Sequence, residues 1–362
     1  MNPLEQLWDD QKQAVWFDFI ERELLSSGGL ARLVADDGVR GVTSNPSIFQ
    51  KAIEGGGAYR TVVAELLAND PGMTTIELYE ALAIEDIRGA ADVLETVFEA
   101  SGGDDGYVSL EVSPHLAYDT EATIAEAERL WRVVDRPNLM IKVPATPEGI
   151  EAIERLIARG INVNATLMFS FGHYEAVAGA YLRGLEACAE PARVASVASF
   201  FVSRVDTKID AALESLGTPA ALDLRGKAAI ANSKRAYRRF EELFGGEAFA
   251  PHAARGARVQ RPLWASTSTK NPAYRDVMYV EELIGPNTVN TLPVATLEGY
   301  RDHGVVRASL LEDLEGAEQV FADLAALGVD IDAVTEELQV EGVAAFAASF
   351  DQLIAALDAA RI

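Results

Sequence analysis

Asn138-Leu-Met-Ile-Lys142-Val-Pro144 is apolar at five of its seven positions and sets one lysine in its middle. The run is short, has no breaker before Pro144 and is followed by a helical pattern over 148–159. It therefore predicts a parallel strand covered on both faces. Along such a strand Met140, Lys142 and Pro144 point one way, and Leu139, Ile141 and Val143 the other. Burial weakens an ammonium group's hold on its proton. A neutral amine is the nucleophile that attacks a ketone to form a Schiff base. The plain alternative is a strand-end lysine with a buried stem and a head in water, and for one lysine alone that is the commoner case.

The same alternation extends in both directions. Residues 3–14 read as a short amphipathic helix, and Val15-Trp-Phe-Asp18-Phe-Ile20 as an apolar strand broken by one acid. A helical pattern over 21–35 leads to Gly38-Val-Arg-Gly-Val-Thr-Ser-Asn45-Pro46, a second strand. Residues 57–100 read as helix interrupted at Asn69-Asp-Pro-Gly72, with Gly55–Gly57 as plain loop. Tyr107–Ser113 is the third strand, a helix follows over 119–134, and the Lys142 stretch is the fourth. Ile161–Phe169, Arg193–Phe201, Pro262–Ser266 and Asn287–Leu292 complete the set, with helices predicted over 172–187 and 272–284. Residues 204–260 form a charged helical insertion after strand six, and the tail from 309 is helical with Ala-rich faces.

Eight strands alternating with helices predict a parallel sheet, because each parallel pair needs a crossover. With no dinucleotide fingerprint, eight such units favour a closed (β/α)8 TIM barrel over an open doubly wound sheet. No composition shift marks a second domain. Residues 1–362 are expected to form one barrel domain, with a core of about 13–308 and an extension of about 309–362.

The 362 residues are 49% hydrophobic and 24% charged, the balance of a globular chain with a large core. A formal charge of −25 argues against nucleic acid or an anionic membrane as partner, and makes any phosphate site depend on local cations. No basic stretch followed by an apolar one opens the chain, and no apolar run is expected to approach the ~20 residues of a membrane span. Cys188 is the only cysteine, and the four histidines share no ligand spacing. An internal disulfide is excluded, no metal is expected, and the cytoplasm is the expected compartment.

Nearly every strand carries a polar residue where a plain core would not. These are Asp18, Asn45, Glu111, Lys142, Asn164 with Thr166, and Ser199. Spacing by two puts Ser109, Glu111 and Ser113 on one face, and Asn162, Asn164 and Thr166 on another. Most lie in the C-terminal half of their run, the end from which barrel enzymes build their sites. Taken singly each has a structural explanation: turn chemistry for Asn45, strand preference for Thr166, an arginine partner for Glu111. Together a lysine and two carboxylates on separate strands suit carbonyl chemistry through an enamine.

In these residues the chain closely resembles the transaldolase family, Schiff-base-forming barrel enzymes of the pentose phosphate pathway. Gly41-Val-Thr-Ser-Asn45-Pro-Ser-Ile-Phe resembles its first signature, and Leu139-Met-Ile-Lys142-Val-Pro-Ala-Thr-Pro-Glu-Gly149-Ile its second. Ser109–Asp119, Ile161–Ser170 and Ser199-Phe-Phe201-Val-Ser-Arg204 are similar to three further segments, in family order, within about residues 13–295. The resemblance implies a transferase that moves a dihydroxyacetone unit between sugar phosphates: sedoheptulose 7-phosphate and glyceraldehyde 3-phosphate give erythrose 4-phosphate and fructose 6-phosphate. It implies Lys142 as nucleophile, Asp18 as base for the C4 hydroxyl, and Glu111 with a water near Thr166 as acid/base. Asn45 and Asn164 would bind the dihydroxyacetone hydroxyls, and Ser199 and Arg204 the phosphate, in a pocket walled by Phe201. No cofactor is implied, the iminium being the electron sink, and a monomer or homodimer is expected.

One departure stands out. The family's seventh strand often carries a serine and, two residues on, a phosphate-binding arginine; here the place reads Ser266-Thr-Ser268. If the extended conformation continued, Ser266, Ser268 and Lys270 would share a face, and a helix starting at Asn271-Pro272 would add its N-terminus. Lys270 is thus the expected substitute cation. The alternatives are a lyase releasing free dihydroxyacetone and a silent scaffold. The family's smaller, lyase-type relatives carry glutamine where this chain has Glu111 and tyrosine where it has Phe201. A silent scaffold would have lost the lysine or the carboxylates.

Overall fold

Each of the eight apolar runs forms a short strand, and their parallel pairing in chain order closes into a barrel. In the computed structural model, which describes residues 2–55 and 57–359, the strands are β1 (Gln13–Phe17), β2 (Val39–Thr43), β3 (Tyr107–Glu111), β4 (Leu139–Pro144), β5 (Val163–Met168), β6 (Ser196–Phe201), β7 (Arg261–Ala265) and β8 (Thr288–Leu292). β1 closes on β8 with five register pairs, from Gln13↔Thr288 to Phe17↔Leu292. The open doubly wound sheet is therefore excluded. Apart from Arg40 and Arg261, every strand residue is buried, as expected of strands covered on both faces.

The N-terminal end of the barrel is plugged by a charge. Asp105, fully buried, accepts from Trp16 Nε1 at 2.8 Å, Arg40 Nε at 2.9 Å and Arg261 Nη2 at 3.2 Å. The Trp16 and Tyr107 rings pack beside it, and Arg40 stacks on Trp8. At the opposite end a cleft of about 500 Å³ opens among the strand C-termini.

The insertion after β6 is helical, with helices Ser203–Leu216, Pro219–Asp223, Ala228–Phe244 and Gly246–Ala253. The tail forms helices Leu314–Ala326 and Ile331–Ala359. Among the described residues the last of these is the one helix long and apolar enough to cross a membrane by length and composition, which corrects the reading that no stretch approaches that limit. Its buried positions, among them Leu338, Gly342, Phe346, Phe350, Leu353 and Leu357, recur at helical spacing and include contacts to the barrel.

Three local readings change. The first helix ends at Gln11 because Lys12 turns left-handed (φ 55°) and caps it. Gly55 closes a helix over Pro46–Gly55 and Gly57 opens the next, so neither is loop; Gly56 lies outside the described residues. The helix expected over 272–284 shrinks to Met278–Glu282. There the Asn271 side chain takes the Ala273 N–H at 3.0 Å, a local turn that competes with helix, and Tyr274 is drawn to Asp210 at 2.6 Å.

Asp105→Ala leaves two guanidinium groups and an indole N–H without their acceptor. Losing one partner of a buried ionic network costs about 3–5 kcal/mol. The urea midpoint should fall accordingly, while the activity of the folded fraction should hold if it resides in the cleft at the other end.

Candidate active site

Strand register brings the central residues together. Glu111 pairs with Lys142 and Lys142 with Asn164, so three adjacent strands present a carboxylate, an amine and an amide side by side. Lys142 Nζ donates to the Ser44 carbonyl at 3.2 Å, and Glu111 Oε2 stands 3.6 Å away, an ion pair too long for a hydrogen bond. Both residues are under one tenth exposed. Among the described residues neither Glu111 oxygen has a hydrogen-bond partner, nor has Thr166 Oγ1. Burial pushes the Glu111 carboxyl up to about 7; the Lys142 charge pulls it down and Asp18 adds to the rise.

Asn164 is held from two sides. Its Oδ1 accepts from Ser199 Oγ at 2.7 Å and its Nδ2 donates to Ser109 Oγ at 3.0 Å. An amide has two lone pairs and two N–H groups, so one of each stays available. Asn45 Oδ1 accepts from Ile48 N at 3.0 Å at the start of the Pro46–Gly55 helix, and this turns Asn45 toward the cleft. Asp18, just past β1, accepts from Thr43 Oγ1 at 2.7 Å.

Asp18, Asn45, Lys142, Thr166, Ser199, Phe201, Arg204, Ser266 and Lys270 all line the one cleft. Asn164 sits in the layer beneath. Glu111 lines a smaller apolar recess of about 170 Å³ behind it, with Tyr79 and Phe350. The Phe201 ring packs on Phe169 at 5.0 Å and carries the Arg204 guanidinium on its face at 5.3 Å. Burial pushes Arg204 down, with Asp18 opposing.

Lys270 reaches the cleft by another route than extension. β7 ends at Ala265, Ser266 is left-handed (φ 57°), and its hydroxyl meets that of Ser203 at 3.0 Å. Lys270 Nζ donates to Ser268 Oγ at 2.7 Å. Asn271-Pro272 opens no helix, so no helix N-terminus assists there. Burial pushes Lys270 down, and the nearby charges of Arg204 and Lys51 push the same way.

Lys51 escaped the sequence reading. It lines the cleft from the Pro46–Gly55 helix, and the 47, 48, 51 spacing after Asn45-Pro46 was its signal, since those positions share a helix face. Phe346, from the C-terminal helix, also lines the cleft, and no local signal pointed to it.

A family model described as transaldolase/fructose-6-phosphate aldolase matches residues 15–357. A transaldolase of Thiobacillus denitrificans is 52% identical over 347 residues, covering 95% of this chain and 96% of its own. One from Frankia alni is 50% identical over 358 residues, with 98% and 96% covered. Transaldolase 1 of Streptomyces coelicolor is 51% identical over 355 residues, with 96% and 92% covered. Similarity therefore runs through the insertion and into the tail, beyond the motifs of the strands.

The Glu111 carboxyl gives a pH test. The folded chain holds this proton more tightly than the unfolded chain, whose value lies near 4.5. The associated stability is complete below about pH 4.5 and is lost as pH rises through about 7. Wild type should lose stability relative to Glu111→Gln between about pH 5 and about pH 8, read as the gap between urea midpoints. A gap constant with pH would mean that Glu111 titrates as an ordinary carboxyl.

Proposed function

The chain belongs to the transaldolase/fructose-6-phosphate aldolase family, and on that premise we infer that it is a transaldolase working through a Schiff base on Lys142. The observation that carries the assignment of residues is a buried lysine 3.6 Å from a buried carboxylate that has no hydrogen-bond partner among the described residues, at the open end of the barrel.

Once its proton has passed to Glu111, the Lys142 amine adds to the C2 ketone of fructose 6-phosphate or sedoheptulose 7-phosphate. Glu111, whose proton affinity lies near neutrality, hands a proton through a water near Thr166 to the departing hydroxyl, and the iminium forms. Asp18 takes the C4 hydroxyl proton; the C3–C4 bond breaks, its electron pair moves into the iminium, and the aldose phosphate leaves. The enamine carbon then attacks the acceptor aldehyde, and the steps reverse to free Lys142. Asn45 and the spare donor and acceptor of Asn164 hold the hydroxyls of the three-carbon unit.

The phosphate carries about two negative charges near neutral pH. Arg204, free of any carboxylate partner among the described residues, meets it with Lys270, the Ser266 and Ser268 hydroxyls and Lys51 as the local cations that a chain of charge −25 needs. Ser199, expected beside Arg204 at the phosphate, lines the same cleft, but its hydroxyl donates to Asn164 and so orders the layer below. Glu111 and Phe201 favour transfer over release of dihydroxyacetone: the carboxylate shuttles protons at the imine, and the phenyl ring has no hydroxyl with which to protonate the enamine carbon.

Borohydride with fructose 6-phosphate should reduce the imine to a stable adduct, found by mass spectrometry on Lys142. Lys142→Met should leave the fold intact and abolish turnover, and Lys142→Arg should fail too, since guanidinium does not deprotonate. An adduct on any other lysine would remove Lys142 from the role. With fructose 6-phosphate alone, free dihydroxyacetone should appear far more slowly than transfer proceeds with erythrose 4-phosphate present; comparable rates would point to the lyase.

Lys270→Ala should raise KM for phosphorylated sugars by about one to two orders of magnitude, from loss of a charge-assisted contact of ~1.5–3 kcal/mol. The unphosphorylated acceptor glyceraldehyde should be little affected, and equal effects on both would exclude Lys270 from the phosphate site.

A further inference from the structure

We infer that Phe346 is a positioning residue of the catalytic site: its ring roofs Lys142 and keeps bulk water from the three-carbon unit held there. The inference rests on Lys142 being the Schiff-base lysine. It gives the C-terminal helix a part in deciding between transfer and release.

The helix Ile331–Ala359 is fastened to the barrel rim at a defined place. Gln339, itself buried, donates through Nε2 to the Ala145 carbonyl at 2.9 Å and to the Leu167 carbonyl at 3.1 Å. Ala145 directly follows β4, and Leu167 stands near the end of β5. Leu167 is left-handed (φ 60°), and the pairing of β5 with β6 shifts register between Ala165 and Met168. Such a bulge takes backbone groups out of the ladder, and here the Leu167 carbonyl meets the tail. One turn on, Gly342 allows close approach: a Cβ there would lie 3.1 Å from the Leu167 side chain. One further turn brings Phe346 round on the same face. The Phe346 ring is 5% exposed, lines the cleft, and has its centroid 5.8 Å from Lys142 Nζ.

Among the described residues the polar partners of that amine are a carbonyl and a carboxylate. The ring is thus the apolar cover over whatever Lys142 carries. Release of the three-carbon unit needs a proton from water on the enamine carbon, then one water added across the carbon–nitrogen double bond. The resulting carbinolamine expels the Lys142 amine and frees dihydroxyacetone. Transfer needs an aldehyde at the same carbon. A ring that excludes stray water slows the first fate and leaves the second open.

The test measures free dihydroxyacetone from fructose 6-phosphate alone against transfer with erythrose 4-phosphate present. Phe346→Ala should raise that ratio at least tenfold, and Phe346→Leu, which restores apolar cover, should return most of it. Leu353→Ala, on the same buried stripe two turns further on, should lower thermal stability with the ratio unchanged. A folded Phe346→Ala with the wild-type ratio overturns the inference, as does an equal rise in Leu353→Ala. If Phe346→Ala does not fold, Gln339→Met loosens the same roof and should raise the ratio; a wild-type ratio there overturns it instead. Borohydride trapping on wild type separates the two levels. No adduct on Lys142 overturns the Schiff-base reading, whereas an adduct with an unchanged ratio overturns only the roof.

Discussion

A lysine and a glutamate held 3.6 Å apart inside the barrel set the terms for everything around them. Each would be costly to bury alone, and the pair is stable only while the geometry holds. Adjacent strands in register supply that geometry, since Glu111 and Lys142 are direct partners of β3 and β4. Neither is joined to the other by a hydrogen bond, so the carboxylate keeps its lone pairs and a proton affinity near neutrality. A tighter pair would be more stable and chemically idle, because both charges would be fixed.

The electrostatics of the chain at large run against its proposed substrate. A formal charge of −25 repels phosphate at long range, and many arginines are taken up by carboxylates, as in Arg129 with Glu80 and Glu126 or Arg275 with Glu281. Arg204, Lys270 and Lys51 stand apart from that pattern: none has a carboxylate within ion-pair distance among the described residues, and all three line one cleft. Their mutual repulsion is visible in Lys270, which both neighbours push down. An arriving dianion relieves that repulsion, which is how an acidic protein builds a selective anion site.

The two ends of the barrel divide the work. The N-terminal end is sealed by Asp105 with two arginines and an indole, a hydrogen-bonded network around a buried charge. At the C-terminal end stand left-handed Leu167 and Ser266, and the register shift of β5 against β6. These irregularities free a carbonyl for Gln339 and swing residues 266–270 around the cleft.

The strand–helix alternation and the polar residues in the strands were legible in the sequence, because side-chain direction within a strand is a local property with a period of two. That is why Lys142, Glu111, Asn164 and Thr166 could be placed on strands before any contact was known, and why their assembly on one barrel followed from the number of units. What the tertiary structure decided lies outside that period. The bend after Ala265 brings Lys270 to the cleft through a left-handed serine, where alternation predicted straight extension. The helix start at Asn271-Pro272 lost to an Asx turn and a tyrosine drawn to Asp210. Phe346 meets Lys142, and Gln339 meets a carbonyl 194 residues away, because closure of the barrel gives the last helix a rim to lie across. Periodicity names the buried face of that helix, but which atoms it covers depends on distances that exist only once the chain has closed on itself.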